Sequence, residues 1–315
     1  MRLLITGGAG FIGSHIADAA LEQGWQVAVV DNLSSGRADN IPDGAEFFEL
    51  DIVDEAALAG AFTKFKPTHV SHQAAQASVA VSVREPQKDA IVNILGSLNV
   101  LTAANTNGVK KVVFASTGGA IYGEVPEGTK AAIDTVPIPI SPYACSKFSV
   151  EKYLECFRLE HGLGYTVLRY ANVYGPRQDP HGEAGVVAIF CNRIMAGEGI
   201  LVNAMRERGD AGCIRDYVYI GDVVAANIAA LEDRIPDPVI NVGTGSETTT
   251  TQLAELLQQH LGNSVDVSPN DKRAGDIERS VLNADRLEQL LGPAASVDMG
   301  LAETASWFRQ RADAS

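Results

Sequence analysis

The stretch T-G-G-A-G-F-I-G at residues 6–13 decides the fold of this chain. The apolar run R-L-L-I-T before it is typical of a buried strand, and a helical pattern begins at residue 11. Gly7, Gly10 and Gly13 permit a tight turn and let backbone amides approach a pyrophosphate at the positive end of that helix. A tight packing turn is the alternative, but the strand–loop–helix setting favours a dinucleotide site.

Short β-branched runs and longer helical patterns alternate beyond this loop. Strands are predicted at Q-V-A-V-V-D (26–31), E-F-F-E-L-D (46–51), T-H-V-S-H-Q-A (68–74) and K-V-V-F-A-S-T (111–117). These runs lack polar alternation, which indicates a parallel sheet buried on both faces. The right-handed crossover rule then predicts an α/β fold with a doubly wound parallel sheet of the Rossmann type.

The second half of the chain is less regular, which predicts a smaller C-terminal substrate-binding domain. We expect a dinucleotide-binding domain over residues 1–170, joined by 215–243. The smaller domain then comprises 171–214 and 244–315. Long helices are expected around 86–106 and 142–160, and threonines precede a capped helix in T-T-T-Q-L-A-E-L-L-Q-Q-H-L-G.

Composition excludes several classes of protein. The chain has 315 residues and a net charge of −14, which argues against a nucleic-acid binder with a basic face. No stretch approaches the roughly 20 apolar residues of a membrane span, and the N-terminus lacks the features of a secretory signal. The four cysteines show no paired spacing and are predicted to be reduced core thiols. We expect a cytoplasmic protein.

The second strand ends in Asp31, followed by Asn32. A carboxylate there can accept hydrogen bonds from both adenosine ribose hydroxyls and would repel a 2′-phosphate, which favours NAD over NADP. Asp51 and Ile52, after the next strand, could hold the adenine amino group and pack against its ring. A helix N-cap is the alternative for Asp51.

The segment S-P-Y-A-C-S-K at 141–147 places a tyrosine four residues before a lysine, on one helix face. Ser141 and Pro142 are typical of a helix start, so Tyr143 lies near the positive helix end. Lys147 adds a second positive charge and an oxidised nicotinamide would add a third. Together they favour the phenolate, which makes Tyr143 a candidate general base. An exposed Tyr and an exposed Lys are the alternative.

A family resemblance rests on these motifs together with S-T-G-G-A-I-Y-G-E (116–124), R-Y-A-N-V-Y-G-P-R-Q-D-P-H-G-E-A-G (169–185), R-D-Y-V-Y-I-G-D (215–222) and R-A-G-D (273–276). In this order they resemble the extended short-chain dehydrogenase/reductases, the NAD-dependent epimerase/dehydratase family. Within it, the chain is most similar to the UDP-glucose 4-epimerases. The resemblance implies bound NAD, a UDP-sugar substrate and a homodimer formed by the two long helices.

The resemblance also implies residue roles. Tyr143 takes the proton of the sugar 4-hydroxyl, Lys147 holds the nicotinamide ribose, and Thr117, with Ser116 beside it, hydrogen-bonds the same sugar oxygen. The implied NAD contacts are Gly7, Gly10, Phe11, Ile12, Gly13, Asp31, Asn32, Ser35, Gly36, Asp51, Ile52, Gln73, Ala74, Ala75, Asn93, Ser116, Tyr143, Lys147 and Tyr170. The implied substrate contacts are Thr117, Asn172, Val187, Arg215, Arg273, Asp276 and Ser280.

The residues after Thr117 limit which of the family's reactions this chain can carry out. Sugar dehydratases similar to this chain carry an Asp-Glu pair there, whereas this chain has Gly118-Gly119-Ala120, which cannot transfer protons by side chain. What remains is oxidation at C4, a 4-keto sugar and return of the hydride to the opposite face, which interconverts UDP-glucose and UDP-galactose. A nucleotide-sugar dehydrogenase or reductase and a non-catalytic NAD-sensing protein are the alternatives.

Predictions for five further positions complete the sequence analysis. Hexose-restricted relatives carry a tyrosine where this chain has Ser280, so Ser280 predicts space for an N-acetylated sugar. Asn203 replaces the aromatic residue that often stacks on uracil. His69 and His72 point to opposite faces of a strand, so they are expected to be structural, and no metal site is predicted. His181 has no assigned role.

Overall fold

Strands and helices alternate along most of the chain. The structure is a computed structural model and describes residues 1–180, 185–273 and 275–313, so His181 lies outside the described residues. The strands are β1 (Arg2–Thr6), β2 (Gln26–Asp31), β3 (Glu46–Glu49), β4 (His69–His72), β5 (Lys111–Thr117), β6 (Gly164–Tyr170), β7 (Asn172–Tyr174), β8 (Ile200–Asn203), β9 (Ile214–Arg215), β10 (Tyr217–Tyr219), β11 (Val239–Val242), β12 (Thr248–Thr249), β13 (Val267–Asn270) and β14 (Arg279–Ser280). The helices are α1 (Phe11–Glu22), α2 (Glu55–Phe65), α3 (Val79–Arg84), α4 (Pro86–Ala90), α5 (Ser97–Thr106), α6 (Gly118–Ile121), α7 (Pro142–His161), α8 (Val186–Met195), α9 (Ile220–Leu231), α10 (Thr250–Leu261), α11 (Asp285–Leu291) and α12 (Val297–Asp313).

A seven-stranded sheet has the strand order β11-β6-β5-β4-β1-β2-β3. The pairs from β3 to β5 are parallel, with Leu4 of β1 opposite both Ala28 and Val70. The chain reverses direction across the sheet between β1 and β4, which is the topological switch point at which such sheets bind nucleotides. The predicted doubly wound α/β fold is confirmed.

Contacts divide the chain into two units. The first comprises 1–117, 139–169 and 223–240, and the second 118–138, 170–222 and 241–315. The predicted first domain differs from the first unit at 118–138, 170, 215–222 and 241–243, all of which lie in the second unit. Segment 118–138 follows β14, because Val125 and Ala131 donate backbone hydrogen bonds to Arg279 and Val281. Strand β9 pairs with β12 and β14, and β10 pairs with β7.

Each unit has its own apolar core. In the first, Leu3, Leu4 and Ile5 of β1 are fully buried in succession, so both sheet faces are covered. The first core also draws on α2, α5 and α7, through side chains such as Phe62, Leu101 and Leu154. The core of the second unit joins α8, α10 and α12 through Ile194, Leu257 and Leu301 among others. The predicted smaller C-terminal domain therefore has the apolar core that it needs.

The structure differs from the sequence-based predictions in one helix and in two cysteines. The helix expected around 86–106 is interrupted by a π-helical segment, Ile91–Gly96, which contains Asn93. Cys145 and Cys156, expected in the core, are exposed, because both lie on the outer face of α7. Cys191 is buried as expected.

Helix starts follow the predicted capping chemistry. Ser141 accepts a hydrogen bond from the amide of Ala144 at the start of α7, and Pro142 is the first helical residue. Thr249 caps α10 in a capping box with Gln252. Over the described residues, no helix combines the length and apolar character needed to cross a bilayer.

Candidate functional site

The glycine loop between β1 and α1 packs too closely for larger residues. Gly7 has a φ of +70°, and a Cβ there would lie 2.6 Å from the backbone nitrogen of Ala74. A Cβ on Gly13 would lie 2.2 Å from the carbonyl oxygen of Gly7. The loop therefore requires glycine at both positions, for the turn and for helix packing.

The start of α1 is left open for an anion. Gly10 is its N-cap residue, no side chain caps the helix, and its first turn holds no acidic residue. A Cβ on Gly10 would meet only the Gly7 carbonyl oxygen, at 3.2 Å, so protein packing alone does not demand glycine there. Free amides at a helix start and a bare backbone fit the pyrophosphate of a dinucleotide.

Asp31 lies at the end of β2, beside this loop. Its Oδ2 accepts a hydrogen bond from the Ala9 amide at 3.0 Å and its Oδ1 accepts one from the Leu33 amide at 2.9 Å. Burial raises the pKa of this carboxyl, while the two amide hydrogen bonds act in the opposite direction. A Cβ on Gly36 would lie 2.9 Å from Asp31 Oδ1, so a larger residue at position 36 would crowd this carboxylate. The arrangement fits a ribose acceptor.

The adenine-side residues form a connected group. Asn32 donates a hydrogen bond to Oδ2 of Asp51 at 2.8 Å, and Oδ1 of Asp51 accepts one from the Val53 amide at 2.9 Å. The N-cap alternative for Asp51 is not realised, because Asp54 caps α2. Ile52 is buried. Asp51 is therefore positioned by its neighbours rather than by a helix start.

The loop after β4 is fixed by polar side chains. Gln73 donates hydrogen bonds to Ser71 Oγ at 3.0 Å and Asn227 Oδ1 at 3.1 Å. Asn93, in the π-helical segment, accepts from the Gln76 amide and donates to the Gln76 carbonyl, both at 2.9 Å. Asn93, predicted as an NAD contact, thus holds the shape of the segment that carries Gln73, Ala74 and Ala75.

His72 is a structural residue, as expected. Its Nδ1 lies 2.6 Å from Thr6 Oγ1 and its Nε2 lies 2.9 Å from Ser97 Oγ. Burial, followed by the nearby Lys147 charge, lowers the pKa of His72 to about 3, so the ring is neutral. No group of three or more His, Cys, Asp or Glu side chains suited to a metal occurs within the described ranges.

Tyr143 and Lys147 lie one turn apart on α7. The Lys147 ammonium is buried, donates a hydrogen bond to the Ala115 carbonyl at 2.9 Å, and lies 4.8 Å from the centroid of the Phe114 ring. The alternative of a surface lysine is therefore wrong.

Ser116 and Thr117 differ in their hydrogen bonds. Ser116 is buried, and its hydroxyl donates to Oε1 of Glu151 at 2.6 Å. Thr117 is half-buried, and its hydroxyl has no hydrogen-bond partner within the part of the chain that the structure describes. Of the two, Thr117 has a hydroxyl available to a ligand.

In the second unit, several predicted substrate residues come together around β9 and β14. Ser280 pairs with Arg215 in register, and its hydroxyl donates to the Gly119 carbonyl at 3.2 Å. A Cβ on Gly119 would lie 3.2 Å from Oδ1 of Asn172. The Asp216 carboxylate fixes this region by accepting from the amides of Thr244, Gly245 and Leu282.

The remaining predicted substrate residues are more scattered. Arg273 donates to the Asp276 carboxylate, with Nε to Oδ1 at 3.0 Å, so the two predicted ligands pair with each other. Val187 is 1% exposed and packs in the apolar core, which gives it a structural role in this unit. Asn203 accepts a hydrogen bond from Asn270 at 2.8 Å. Tyr170 is buried at the end of β6, in the second unit.

Sequence reasoning missed two buried carboxylates, Glu151 on the tyrosine–lysine helix and Asp89 on α4, which packs against it. Asp89 is fully buried and accepts hydrogen bonds from Ser146 Oγ at 2.6 Å and from Gln76 and Asn93 at 2.9 Å. Glu151 is buried and pairs with Arg169 at 2.6 Å. A signal was present, since Arg169 interrupts an apolar strand and Glu151 continues the row of Tyr143 and Lys147 on one helix face.

The family follows from comparison with known proteins. The model of the NAD dependent epimerase/dehydratase family matches residues 3–243. The chain belongs to this family. The resemblance drawn from its motifs is therefore confirmed.

Individual relatives match over nearly the full length. The UDP-glucose 4-epimerase of Mycolicibacterium smegmatis is 42% identical over 99% of both chains. The structure of the Thermus thermophilus UDP-glucose 4-epimerase in complex with NAD is 50% identical, with a TM-score of 0.94, over 98% of this chain and 99% of that chain. The Thermotoga maritima enzyme with UDP-glucose is 48% identical, with a TM-score of 0.92, over 99% and 100%. A UDP-N-acetylglucosamine 4-epimerase from Methanobrevibacter ruminantium, in complex with UDP-N-acetylmuramic acid, is 35% identical, with a TM-score of 0.89, over 98% of each chain.

Proposed function

We propose that this chain is an NAD-dependent isomerase of galactose metabolism that interconverts UDP-glucose and UDP-galactose. Oxidation at C4 gives a 4-keto sugar, and reduction from the opposite face gives the epimer. The observation that carries this choice within the family is the segment after Thr117. Gly118, Gly119 and Ala120 offer no side chain for proton transfer, so the eliminations of the dehydratases lack their acid and base.

The first unit has the features of an NAD-binding domain. The glycine loop and the uncapped start of α1 would hold the pyrophosphate, Asp31 the adenosine ribose, and Lys147 the nicotinamide ribose. NAD, when bound, supplies C4 with a hydride acceptor and donor. The acidic Asp31 supports NAD over NADP, because a 2′-phosphate would be repelled.

Proton transfer falls to Tyr143. As the phenolate it accepts the proton of the 4-hydroxyl during oxidation, and as the phenol it returns a proton when the 4-keto group is reduced. The buried Lys147 ammonium stabilises the phenolate in the first step. The hydroxyl of Thr117, which bonds no other described residue, donates a hydrogen bond to the same sugar oxygen.

The second unit is proposed to bind the nucleotide sugar. Arg215 and Arg273 offer guanidinium groups suited to a diphosphate, and Asn172 offers an amide. Because Arg273 is paired with Asp276, a diphosphate would have to draw this guanidinium away from that carboxylate. Asp276 would then be released to accept from the uridine ribose. Ser280 lies beside Arg215. Its side chain is smaller than the tyrosine of hexose-restricted relatives and would leave room for a 2-N-acetyl group.

We also propose that the protein forms a homodimer and that it works in a reducing compartment. Apolar side chains on α3, the π-helical segment and α7 are exposed, namely Val83, Ile91, Leu95 and Tyr153. A second copy of this chain would cover them, as the family resemblance implies. Two exposed thiols, Cys145 and Cys156, suit the cytoplasm, where thiols stay reduced.

The test is a product assay with the purified full chain. Incubated with UDP-galactose and no added cofactor, the protein should form UDP-glucose, resolved by chromatography, while free NADH does not accumulate. Heat-denatured protein should release NAD rather than NADP. Accumulating NADH would identify a net dehydrogenase, and unchanged UDP-galactose with NAD bound would identify a non-catalytic NAD sensor.

A further inference from the structure

Glu151 accepts hydrogen bonds through both of its carboxyl oxygens. It lies on α7, one turn beyond Lys147 and two turns beyond Tyr143, and it is 4% exposed. Arg169 donates from Nε to Oε1 at 3.0 Å and from Nη2 to Oε2 at 2.6 Å. A guanidinium can only donate, so both oxygens of Glu151 accept from Arg169.

The same carboxyl group also accepts a hydrogen bond from Ser116. Ser116 Oγ donates to Glu151 Oε1 at 2.6 Å, and this oxygen also accepts from Arg169 Nε. The single hydroxyl proton of Ser116 is therefore committed to Glu151. The neighbouring Thr117 hydroxyl, which has no partner over the described residues, stays available to the substrate.

A second bond ties the same end of β5 to the same helix. Lys147 donates from Nζ to the Ala115 carbonyl at 2.9 Å. Two consecutive residues of β5, Ala115 and Ser116, are thus attached to α7 immediately before Thr117. The helix that makes both attachments also carries Tyr143.

We propose that Glu151 is a positioning residue, which through Ser116 holds Thr117 at the separation from Tyr143 that a shared substrate oxygen requires. The inference rests on the proposed epimerase function. Arg169 compensates a buried charge that would otherwise be costly, so Glu151 remains an acceptor. We call the Ser116–Glu151 hydrogen bond the tether. Two groups that must bond one reacting oxygen are sensitive to sub-ångström shifts, so losing the tether should slow the chemical step.

The following variants distinguish the effect of losing the tether from a general loss of stability. Ser116→Ala removes the hydroxyl and leaves the Glu151–Arg169 pair whole. Glu151→Leu with Arg169→Met removes the acceptor together with its counter-charge, which avoids an unpaired buried charge. The triple variant completes a double-mutant cycle. Ser149→Ala is the matched control, because that hydroxyl lies on the same helix and, among the described residues, bonds the Cys145 carbonyl alone.

Kinetics give the first readout. We expect Ser116→Ala and the pair variant each to lower kcat by roughly 10- to 100-fold, with KM for UDP-galactose and bound NAD nearly unchanged. The triple variant should lose little more than the pair variant, since a single interaction is removed twice. A wild-type kcat in Ser116→Ala, fully additive losses, or a loss that follows NAD content would overturn the proposal.

Hydrogen exchange gives a readout that needs no epimerase activity. Amides at 115–119 should exchange faster in Ser116→Ala than in wild type, and the Ser149→Ala control should match wild type. Unchanged exchange there overturns the tether even if the wild type proves inactive. An inactive wild type with the expected change in exchange would instead reject the proposed function and leave the tether standing.

Discussion

The Nδ1 atom of His72 accepts a hydrogen bond from the Thr6 hydroxyl across 2.6 Å. The direction follows from the other side of the ring. Ser97 Oγ donates its proton to the Asn93 carbonyl at 2.5 Å, so it can only accept from His72 Nε2 at 2.9 Å. A neutral imidazole with its proton on Nε2 therefore links β1, beside the glycine loop, to α5.

This buried ring predicts a pH dependence of stability. The pKa of His72 is about 3 in the fold against about 6.5 for an exposed histidine, so the unfolded chain binds more protons between these values. Stability should therefore be complete above pH 6.5 and fall as pH drops toward 3, by up to about 1.4 kcal/mol per pH unit from this residue.

Denaturant unfolding between pH 4 and 8 checks this expectation. His72→Gln should show a shallower fall in the free energy of unfolding with decreasing pH than wild type. His161→Gln, at an exposed histidine of α7, is the control and should follow the wild-type slope. Equal slopes in wild type and His72→Gln would show that His72 is not a source of acid sensitivity.

Gly13 and Gly60 form a matched pair of helix glycines. Gly13→Ala should abolish NAD retention and destabilise the fold, because the new Cβ would lie 2.2 Å from a backbone oxygen of the loop. Gly60 is exposed on α2, and a Cβ there would meet no described atom within 4 Å, so Gly60→Ala should stabilise by up to about 1 kcal/mol through helix propensity. Thermal melting and NAD content after purification test both, and NAD retained by Gly13→Ala would contradict the role of the loop.

Tyr143→Phe should lower kcat by about 10²–10⁴-fold while folding and NAD content remain, because only the proton-transferring hydroxyl is lost. KM should change less than kcat. Tyr153→Phe, at an exposed tyrosine of the same helix, is the control and should keep wild-type kinetics. Near-normal turnover of Tyr143→Phe would assign the base elsewhere.

Ser280→Tyr should restrict the sugar. Ser280 is 2% exposed, and its hydroxyl bonds the Gly119 carbonyl, so a phenol ring would occupy the space beside Gly119 and Asn172. Wild type should epimerise both UDP-glucose and UDP-N-acetylglucosamine, and the variant should lose chiefly the acetylated sugar. Parallel assays on the two sugars decide the matter. If the wild type is inactive on the acetylated sugar, or if the variant turns over both sugars as the wild type does, residue 280 does not control which sugar the site admits.

Much of the fold was readable from local patterns. The strand–loop–helix at 2–23, the unbroken apolar strands and the order of elements predicted a doubly wound sheet, because burial on both faces removes polar alternation. The caps at Ser141 and Thr249 were also predictable, since a helix start depends on a few adjacent residues. The Tyr143–Lys147 pair needs only helical spacing.

The tertiary structure decided the features that depend on residues distant in sequence. Segment 118–138 joins the second unit because its backbone bonds residues about 150 positions away. Glu151 is buried because Arg169 and Ser116 meet it from β6 and β5, and Asp89 because Ser146 reaches it from α7. A charge can be buried only where donors converge on it, and that convergence is a property of packing that no local pattern contains.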